Sequence, residues 1–307
     1  MKKLKINELI NKLRTVFQNL LINIKKNPKK SILTALTVVF AVIFLSSAIF
    51  LVHYFVNSHK QNKQNDELAN IVEQLQQGMQ SGSNTDNNLD IDPENPLLNN
   101  NNIYAEVTNP ETGEVMDVLK EYSTVYLMNT DMVGWIKIPG TKVNYPVLQS
   151  KEPNYYLRRD FYKQSARHGS IYANELADFN APSDNITIYG HNMGDKSMFG
   201  NLQAYENIEF YKEHPYIIFD TLKMHQVYKV IYAFYVDFSK TNFAYHEFVD
   251  GDEFDFSLFI AECKDLALYD TGDTAVYGNK LLTLSTCDNN VMDDNIRFVV
   301  VAKKTSL

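Results

Sequence analysis

The sequence KLLTLSTCDNNVMDDNIRFVVVAKK, residues 280–304, contains two apolar runs on either side of a polar loop. Both runs are rich in β-branched residues, which predicts strands over residues 280–286 and 297–303. Similar runs bounded by turn residues predict six further strands, over residues 134–138, 143–148, 169–173, 186–190, 216–220 and 227–238. Eight short strands favour a mainly β fold with some helix: one closed or nearly closed β-barrel with helices on its connections, near residues 116–127, 196–204 and 253–266.

The charge of the chain changes sharply along its length. Of 29 basic and 37 acidic residues, nine basic and one acidic residue lie in residues 1–30, and residues 31–56 carry no Asp, Glu, Lys or Arg. This leaves 20 basic and 36 acidic residues after position 56, a net charge of −16. So acidic a body argues against a nucleic-acid partner, because binding phosphates requires a basic surface.

The uncharged run over residues 31–56 is long enough to cross a bilayer core of about 30 Å as a helix. It is longer than the apolar region of a cleaved signal peptide, so we predict one transmembrane signal anchor. Its basic flank places residues 1–30, a basic tail, in the cytoplasm and the rest of the chain outside the cell. Residues 57–102 are rich in Gln and Asn and predict a flexible extracellular stalk before a folded domain over residues 103–307.

The two cysteines differ in their surroundings. Cys263 lies on the apolar face of a predicted helix, as a small buried hydrophobic residue would. Cys287 ends a predicted strand where a polar loop begins, so its thiol can be exposed at the mouth of the barrel, which makes it the candidate nucleophile. A structural disulfide between the two is the alternative, since an exported protein lies in an oxidising compartment.

A thiol nucleophile needs a partner that exchanges protons near neutral pH, and imidazole suits this role. His191, in ITIYGHNMG, follows an apolar strand directly. Acyl transfer also needs a group that stabilises an oxyanion, and Arg297 opens the last strand ten residues after Cys287. The alternatives are a surface histidine and an edge-strand arginine paired with Asp293 or Asp294.

These motifs together resemble the sortases, extracytoplasmic transpeptidases of Gram-positive bacteria. The similarity to class B runs from about residue 131 to the C-terminus, through VGWIKIPGTKVNYPVLQ, YYLRRDF, GSIYAN, YGHNMGDKSMF, TLSTC and the arginine ten residues later. The resemblance implies an eight-stranded sortase-type β-barrel with peripheral helices, preceded by one transmembrane helix. It implies no metal and no organic cofactor, and a catalytic triad of His191, Cys287 and Arg297.

By the same resemblance, Cys287 attacks a Thr carbonyl in the C-terminal sorting signal of a secreted protein and forms a thioester, which an amine of peptidoglycan then resolves. The enzyme would thereby anchor surface proteins to the cell wall from its place in the plasma membrane. Sorting motifs of the Asn-Pro-x-Thr and Ser/Asn-Pro-x-Thr-Gly types are both open. The residues expected to bind substrate are Leu157, Asn192, Ser239, Phe243, Ala244, Ser285 and Thr286.

Two other classes of function compete with this interpretation. A cysteine peptidase or peptidoglycan amidase also uses Cys and His, but it usually orients the imidazole with a polar third residue. The arginine ten residues after Cys287 favours the transpeptidase. A barrel adhesin would use Cys263 and Cys287 only as a structural bridge.

Overall fold

The computed structural model describes residues 15, 18, 28–82, 103–287 and 295–305, with the side chain of Cys287 outside that description. The chain forms two compact units, Met1–His59 and Lys60–Leu307. The second unit contains all the strands that the described residues form. They are β1 (Tyr104–Thr108), β2 (Val115–Leu119), β3 (Met132–Lys137), β4 (Asn144–Leu148), β5 (Ile171–Ala173), β6 (Asn185–Tyr189), β7 (Tyr216–Thr221), β8 (Val227–Asp237), β9 (Leu281–Cys287) and β10 (Ile296–Lys304).

Eight of these strands close into a barrel in the order β10-β8-β7-β3-β4-β5-β6-β9. Most neighbours are antiparallel, but β4 pairs with β5 and β6 pairs with β9 in parallel, so the barrel is mixed. The predicted eight-stranded barrel is confirmed, and each predicted strand overlaps an observed one. Closure removes the unpaired edges that an open sheet of this size would expose.

The last strand shows why its sequence is an almost unbroken apolar run. Phe298, Val300 and Ala302 belong to the core cluster inside the barrel. Val299 and Val301 alternate with them and pack in a second cluster beneath a helix. Because successive residues of a strand face opposite sides, a strand covered on both faces needs apolar residues at every position.

The helices of the described residues are α1 (Pro28–Gly82), α2 (Lys120–Met128), α3 (Ile208–Glu213) and α4 (Glu253–Leu266), with short 3₁₀ helices at Tyr155–Arg158, Leu202–Glu206 and Tyr245–Glu247. The prediction for α4 agrees with the structure, and the Asp252 side chain caps it by accepting hydrogen bonds from the amides of Phe254 and Asp255.

The helix predicted over residues 116–127 is wrong in its first part, because Val115–Leu119 is a strand paired with β1. Hairpin pairing with β1 outweighs the local helical pattern there. The helical pattern near residues 196–204 gives way to the 3₁₀ helix Leu202–Glu206.

Helix α1 has two different parts. Within it, the segment Leu33–Met79 includes an 18-residue window of mean hydropathy 2.7 whose side chains are exposed, so this helix is long and apolar enough to cross a membrane. The second part, residues 60–82, belongs to the same compact unit as the barrel.

This second part of α1 differs from the flexible stalk expected over residues 57–102. Leu68 and Val72 are 0% and 4% exposed and join the core cluster that contains Trp135. They lie one turn apart on the face that also carries Gln61, which is itself buried. Two apolar residues and a few hydrogen-bonded amides therefore dock a helix whose average composition is polar. Residues 83–102, the rest of the expected stalk, lie outside the described residues.

Candidate active site

His191 is positioned by the end of strand β6. The strand stops at Tyr189, and Gly190 follows where a side chain has no room, since a Cβ there would lie 2.5 Å from the Ile171 Cδ1 atom. The amide of Gly190 donates to the carbonyl of Ser285 on β9. This bond places His191 at the mouth of the barrel beside the end of β9.

The imidazole of His191 is oriented by a backbone carbonyl. Its Nε2 atom lies 2.8 Å from the carbonyl oxygen of Leu157, which can only accept, so Nε2 carries the proton and Nδ1 has a lone pair. Burial lowers the pKa of His191, the bond to Leu157 raises it in part, and the nearby charge of Arg158 lowers it again. The net lowering makes His191 a neutral imidazole at pH 7 that is ready to accept a proton at Nδ1.

The three predicted catalytic residues lie at or just beyond the ends of three adjacent strands, β6, β9 and β10. Tyr189 is opposite Ser285 at the end of the parallel β6–β9 pair, and His191 and Cys287 each lie two residues beyond these partners. In the antiparallel β9–β10 pair, Arg297 is directly opposite Cys287. The side chain of Cys287 and residues 288–294 lie outside the described residues. The backbone thus places the three residues at the ends of three adjacent strands.

A cleft of about 390 Å³ opens at this end of the barrel. Five of the residues predicted to act in catalysis or substrate binding line it: Leu157, His191, Ser285, Thr286 and Arg297. The guanidinium of Arg297 is half-buried and donates to the carbonyl of Ile296 at 3.1 Å. An arginine at the edge of a cleft that also holds a neutral imidazole suits the stabilisation of an oxyanion.

Four of the predicted substrate-binding residues lie outside this cleft. The Asn192 amide donates to Gln203 Oε1 at 2.6 Å, and the hydroxyl of Ser239 donates to an Asp237 carboxylate. Phe243 and Ala244 line a separate groove of about 470 Å³ between the 241–250 segment and α4. Phe243 is held there by its ring contact with Phe259 of the helix, at 5.8 Å between centroids.

Several aromatic residues of the cleft were not predicted from the sequence. Tyr172, Tyr189, Phe238 and Tyr245 line it together with Asn154, Asn174, Glu175 and His246. Two of them lie next to predicted site residues, since Tyr189 directly precedes the Gly-His pair and Tyr245 directly follows Ala244. The hydroxyl of Tyr245 hydrogen bonds with Ser285 Oγ at 2.6 Å.

Thr286 is the one hydroxyl of the cleft without a partner among the described residues. It is 2% exposed and its Oγ1 atom is buried without a hydrogen bond there. A buried hydroxyl that lacks a partner is costly, and one beside a nucleophile can be satisfied by substrate.

Cys263 is a free thiol, fully buried on the inner face of α4. Burial raises its pKa well above the usual value, with a smaller contribution from Glu262. Such a thiol is inert, which leaves Cys287 as the candidate nucleophile and weighs against a structural bridge.

Comparison with known proteins agrees with this geometry. Residues 136–305, more than half of the chain, match the model of the sortase domain. Sortase B of Staphylococcus aureus is 35% identical over 189 residues, which cover 61% of this chain and 75% of the relative. Sortase B of Listeria monocytogenes is 36% identical over 198 residues, 62% of this chain and 75% of the relative.

A solved structure of a Staphylococcus aureus sortase B–substrate complex shares the fold. It superposes with a TM-score of 0.64 at 25% identity and covers 82% of this chain and 99% of that one. The closed barrel, the cleft and the sequence matches lead to one conclusion: the chain belongs to the sortase family, in class B, and is a cysteine transpeptidase of the sortase type.

Proposed function

We propose that His191, Cys287 and Arg297 form the catalytic triad of this enzyme. The pairing of Arg297 with Cys287, and the position of His191 just beyond the end of the neighbouring β6–β9 pair, support this proposal. Opposed residues of an antiparallel pair belong to the same face of a sheet, so a guanidinium and a thiol at these positions share one side of the cleft.

The proposed reaction begins with proton transfer from the Cys287 thiol to Nδ1 of the neutral His191. The thiolate attacks the carbonyl carbon of a Thr in the substrate, and the oxyanion that forms is held by the Arg297 guanidinium. The carbon–nitrogen bond then breaks as the protonated His191 gives its proton to the leaving amine. A thioester on Cys287 and the released C-terminal peptide are the products of this half-reaction.

In the second half-reaction, an incoming amine attacks the thioester carbonyl while His191 removes a proton from the attacking nitrogen. The carbon–sulfur bond breaks, a new amide forms, and the proton returns to the sulfur. The lowered pKa of His191 supports this cycle, because an imidazole that is neutral at pH 7 can accept a proton in each half.

The substrate that we propose is the C-terminal sorting signal of a secreted protein, of the Asn-Pro-x-Thr or Ser/Asn-Pro-x-Thr-Gly type. The support is the substrate complex solved for the similar Staphylococcus aureus enzyme, together with the aromatic cleft of this chain. Ser285 and Thr286 are the residues that we propose to contact its backbone, and the unpartnered Thr286 hydroxyl is available for this. The acceptor that we propose is an amine of peptidoglycan.

The proposed location is the plasma membrane, crossed once by α1, with residues 1–30 in the cytoplasm and the barrel outside. The apolar part of α1 and the nine basic residues before it support this orientation. The acidic body then faces the cell wall.

The experiment is to incubate the protein with a panel of sorting peptides of both types, with and without an added amine, and to analyse the products by mass spectrometry. We expect cleavage after Thr and an amide product that depends on the amine, and neither product with Cys287→Ala. Cys263→Ala is the matched control and should retain activity. Acyl product that forms equally without amine would favour a peptidase instead.

A further inference from the structure

The polar residues of the second part of α1 contact the loops that hold His191. Gln61 is 8% exposed, and its Oε1 atom accepts from the amide of His168 at 3.2 Å. Its Nε2 atom lies 3.5 Å from the carbonyl oxygen of Gly169. One amide side chain of the helix therefore binds two consecutive backbone groups of the loop after the Tyr155–Arg158 3₁₀ helix.

That loop packs directly behind the carbonyl that orients His191. Gly169 has a φ of +56°, and a Cβ there would lie 2.5 Å from the Leu157 oxygen and 2.7 Å from the Tyr156 oxygen. The amide of Ser170 donates to the Tyr156 carbonyl at 3.0 Å. The position of the Leu157 carbonyl is thus set by the loop that Gln61 fastens, and this carbonyl accepts the Nε2 proton of His191.

A second contact reaches His191 from the other side. Asn62 Nδ2 donates to Asp195 Oδ2 at 2.8 Å, in the segment that follows His191. The amide of Phe199 closes this segment by donating to the carbonyl of His191 at 3.0 Å. The other carboxylate oxygen of Asp195 accepts from the amide and hydroxyl of Ser197. The Asp195 carboxylate therefore links the helix to the segment between His191 and Phe199.

Docking the helix does not require these amides. Leu68 and Val72 supply the buried apolar contact about two and three turns further along, in the cluster of Trp135. An apolar residue at position 61 would dock as well, whereas a buried amide needs hydrogen-bond partners. Both polar atoms of Gln61 have one, while Asn62 is bound through Nδ2 and its Oδ1 atom is buried without a partner among the described residues. The two amides therefore contribute little to the stability of docking. Their hydrogen bonds instead fix the position of the helix relative to the two loops that contact His191.

We propose that Gln61 and Asn62 are positioning residues for His191, so that the active site is correctly oriented only when the start of the extramembrane part of α1 is docked. This inference rests on the proposed role of His191 in catalysis. Gln61 acts through the Leu157 carbonyl, and Asn62 acts through the segment of Asp195. Neither residue touches the reacting atoms.

The test uses the full chain in detergent micelles, with the variants Gln61→Ala, Gln61→Glu and Asn62→Ala. Cleavage of the best sorting peptide should lose kcat by about 10-fold or more in Gln61→Ala with KM within about twofold, because misplacing a catalytic group by about 1 Å can cost about 100-fold. Gln61→Glu retains the acceptor for the His168 amide and should recover part of the loss. Asn62→Ala should also lower kcat.

A second measurement follows the titration of His191 by NMR of histidine-labelled protein, without substrate. The bond to Leu157 raises the pKa of His191, so loosening that carbonyl in Gln61→Ala should move the titration to lower pH. The charged groups around His191, among them Arg158, His168 and Arg297, are unchanged in these variants.

Two controls separate positioning from stability. Asn70→Ala removes an amide from the exposed face of the same helix and should change neither readout. Val72→Ala weakens the docking of the helix and should lower the melting temperature without moving the His191 titration of the folded protein.

A His191 titration and a kcat in folded Gln61→Ala and Asn62→Ala equal to those of the wild type would overturn the inference. A wild-type protein that cleaves no peptide would instead count against the proposed function, and the NMR titration would still decide the role of Gln61.

Discussion

Gly169→Ala is the substitution that tests most sharply whether the Leu157 carbonyl orients His191. Alanine at a φ of +56° costs about 1 to 2 kcal/mol of stability from backbone strain alone. The new Cβ would also lie 2.5 Å from the Leu157 oxygen. Reaching even a tight contact of 3.0 Å requires that this oxygen move by about 0.5 Å, and an ordinary contact of 3.4 Å requires about 0.9 Å.

A shift of this size displaces the acceptor of the 2.8 Å bond to His191. We therefore expect kcat/KM for peptide cleavage to fall by about 10- to 100-fold. The assay is steady-state cleavage alongside thermal melts, and the matched control is Gly272→Ala. Gly272 has a φ of +73° but no atom within 4 Å of its added Cβ, so that variant carries the backbone strain without the displacement. Equal activity in the two folded variants would refute the reasoning.

Three further predictions concern stability, the oxyanion and pH. Leu68→Ala should lower the free energy of unfolding by about 2 to 5 kcal/mol, because the side chain is fully buried. Denaturant unfolding measures this through the fluorescence of the one tryptophan, which lies in the same cluster. A loss below about 1 kcal/mol would mean that the helix is not docked. Arg297→Ala should lower kcat at least about 10²- to 10³-fold, and Arg297→Lys should recover only part of this loss. The melting temperature of both variants should change little. Near wild-type turnover in Arg297→Ala would show that backbone amides alone hold the oxyanion. The hydrogen bond to Asp220 raises the pKa of His225, so this pair contributes stability that is fully present below the unfolded pKa of about 6.5 and is lost as pH rises through the folded value. His225→Gln should thus destabilise the protein more at pH 6 than at pH 9 in thermal melts, and the reverse order would contradict the assignment.

The barrel could be predicted because each strand carries its own local signal. In β10 the unbroken run from Phe298 to Ala302 is apolar on both faces, and the polar residues at its ends mark where the strand stops. The hairpin of β1 and β2 lacked such a signal. Residues 116–127 have a helical pattern, and only pairing with Tyr104–Thr108 makes their first part a strand.

The docked part of α1 could not be predicted from average composition. A flexible stalk was expected because residues 57–102 contain few apolar side chains, yet Leu68 and Val72 share one face and suffice when Gln61 and Asn62 find partners on the barrel. Those partners are a backbone amide and a loop carboxylate more than a hundred residues away, and a single sequence does not indicate such pairs.

The candidate site also contains some groups that the sequence predicts and others that it does not. His191 and Arg297 follow strand ends that the sequence marks, and both line the cleft. The Leu157 carbonyl, which orients His191, is a backbone group that no residue type reveals. Phe243 and Ala244 were placed by resemblance alone, and they line a neighbouring groove because the Tyr245–Glu247 3₁₀ helix turns Tyr245 rather than Phe243 toward Ser285.

The most direct test of the central claim is intact-mass spectrometry of the protein trapped during turnover of a sorting peptide. We predict an adduct equal in mass to the acyl fragment that ends in Thr, located on Cys287 by peptide mapping, which disappears when an amine is added and leaves the transferred amide. An adduct on any other residue, or peptide cleavage without an adduct on Cys287, would contradict a transpeptidase that works through a thioester at this position.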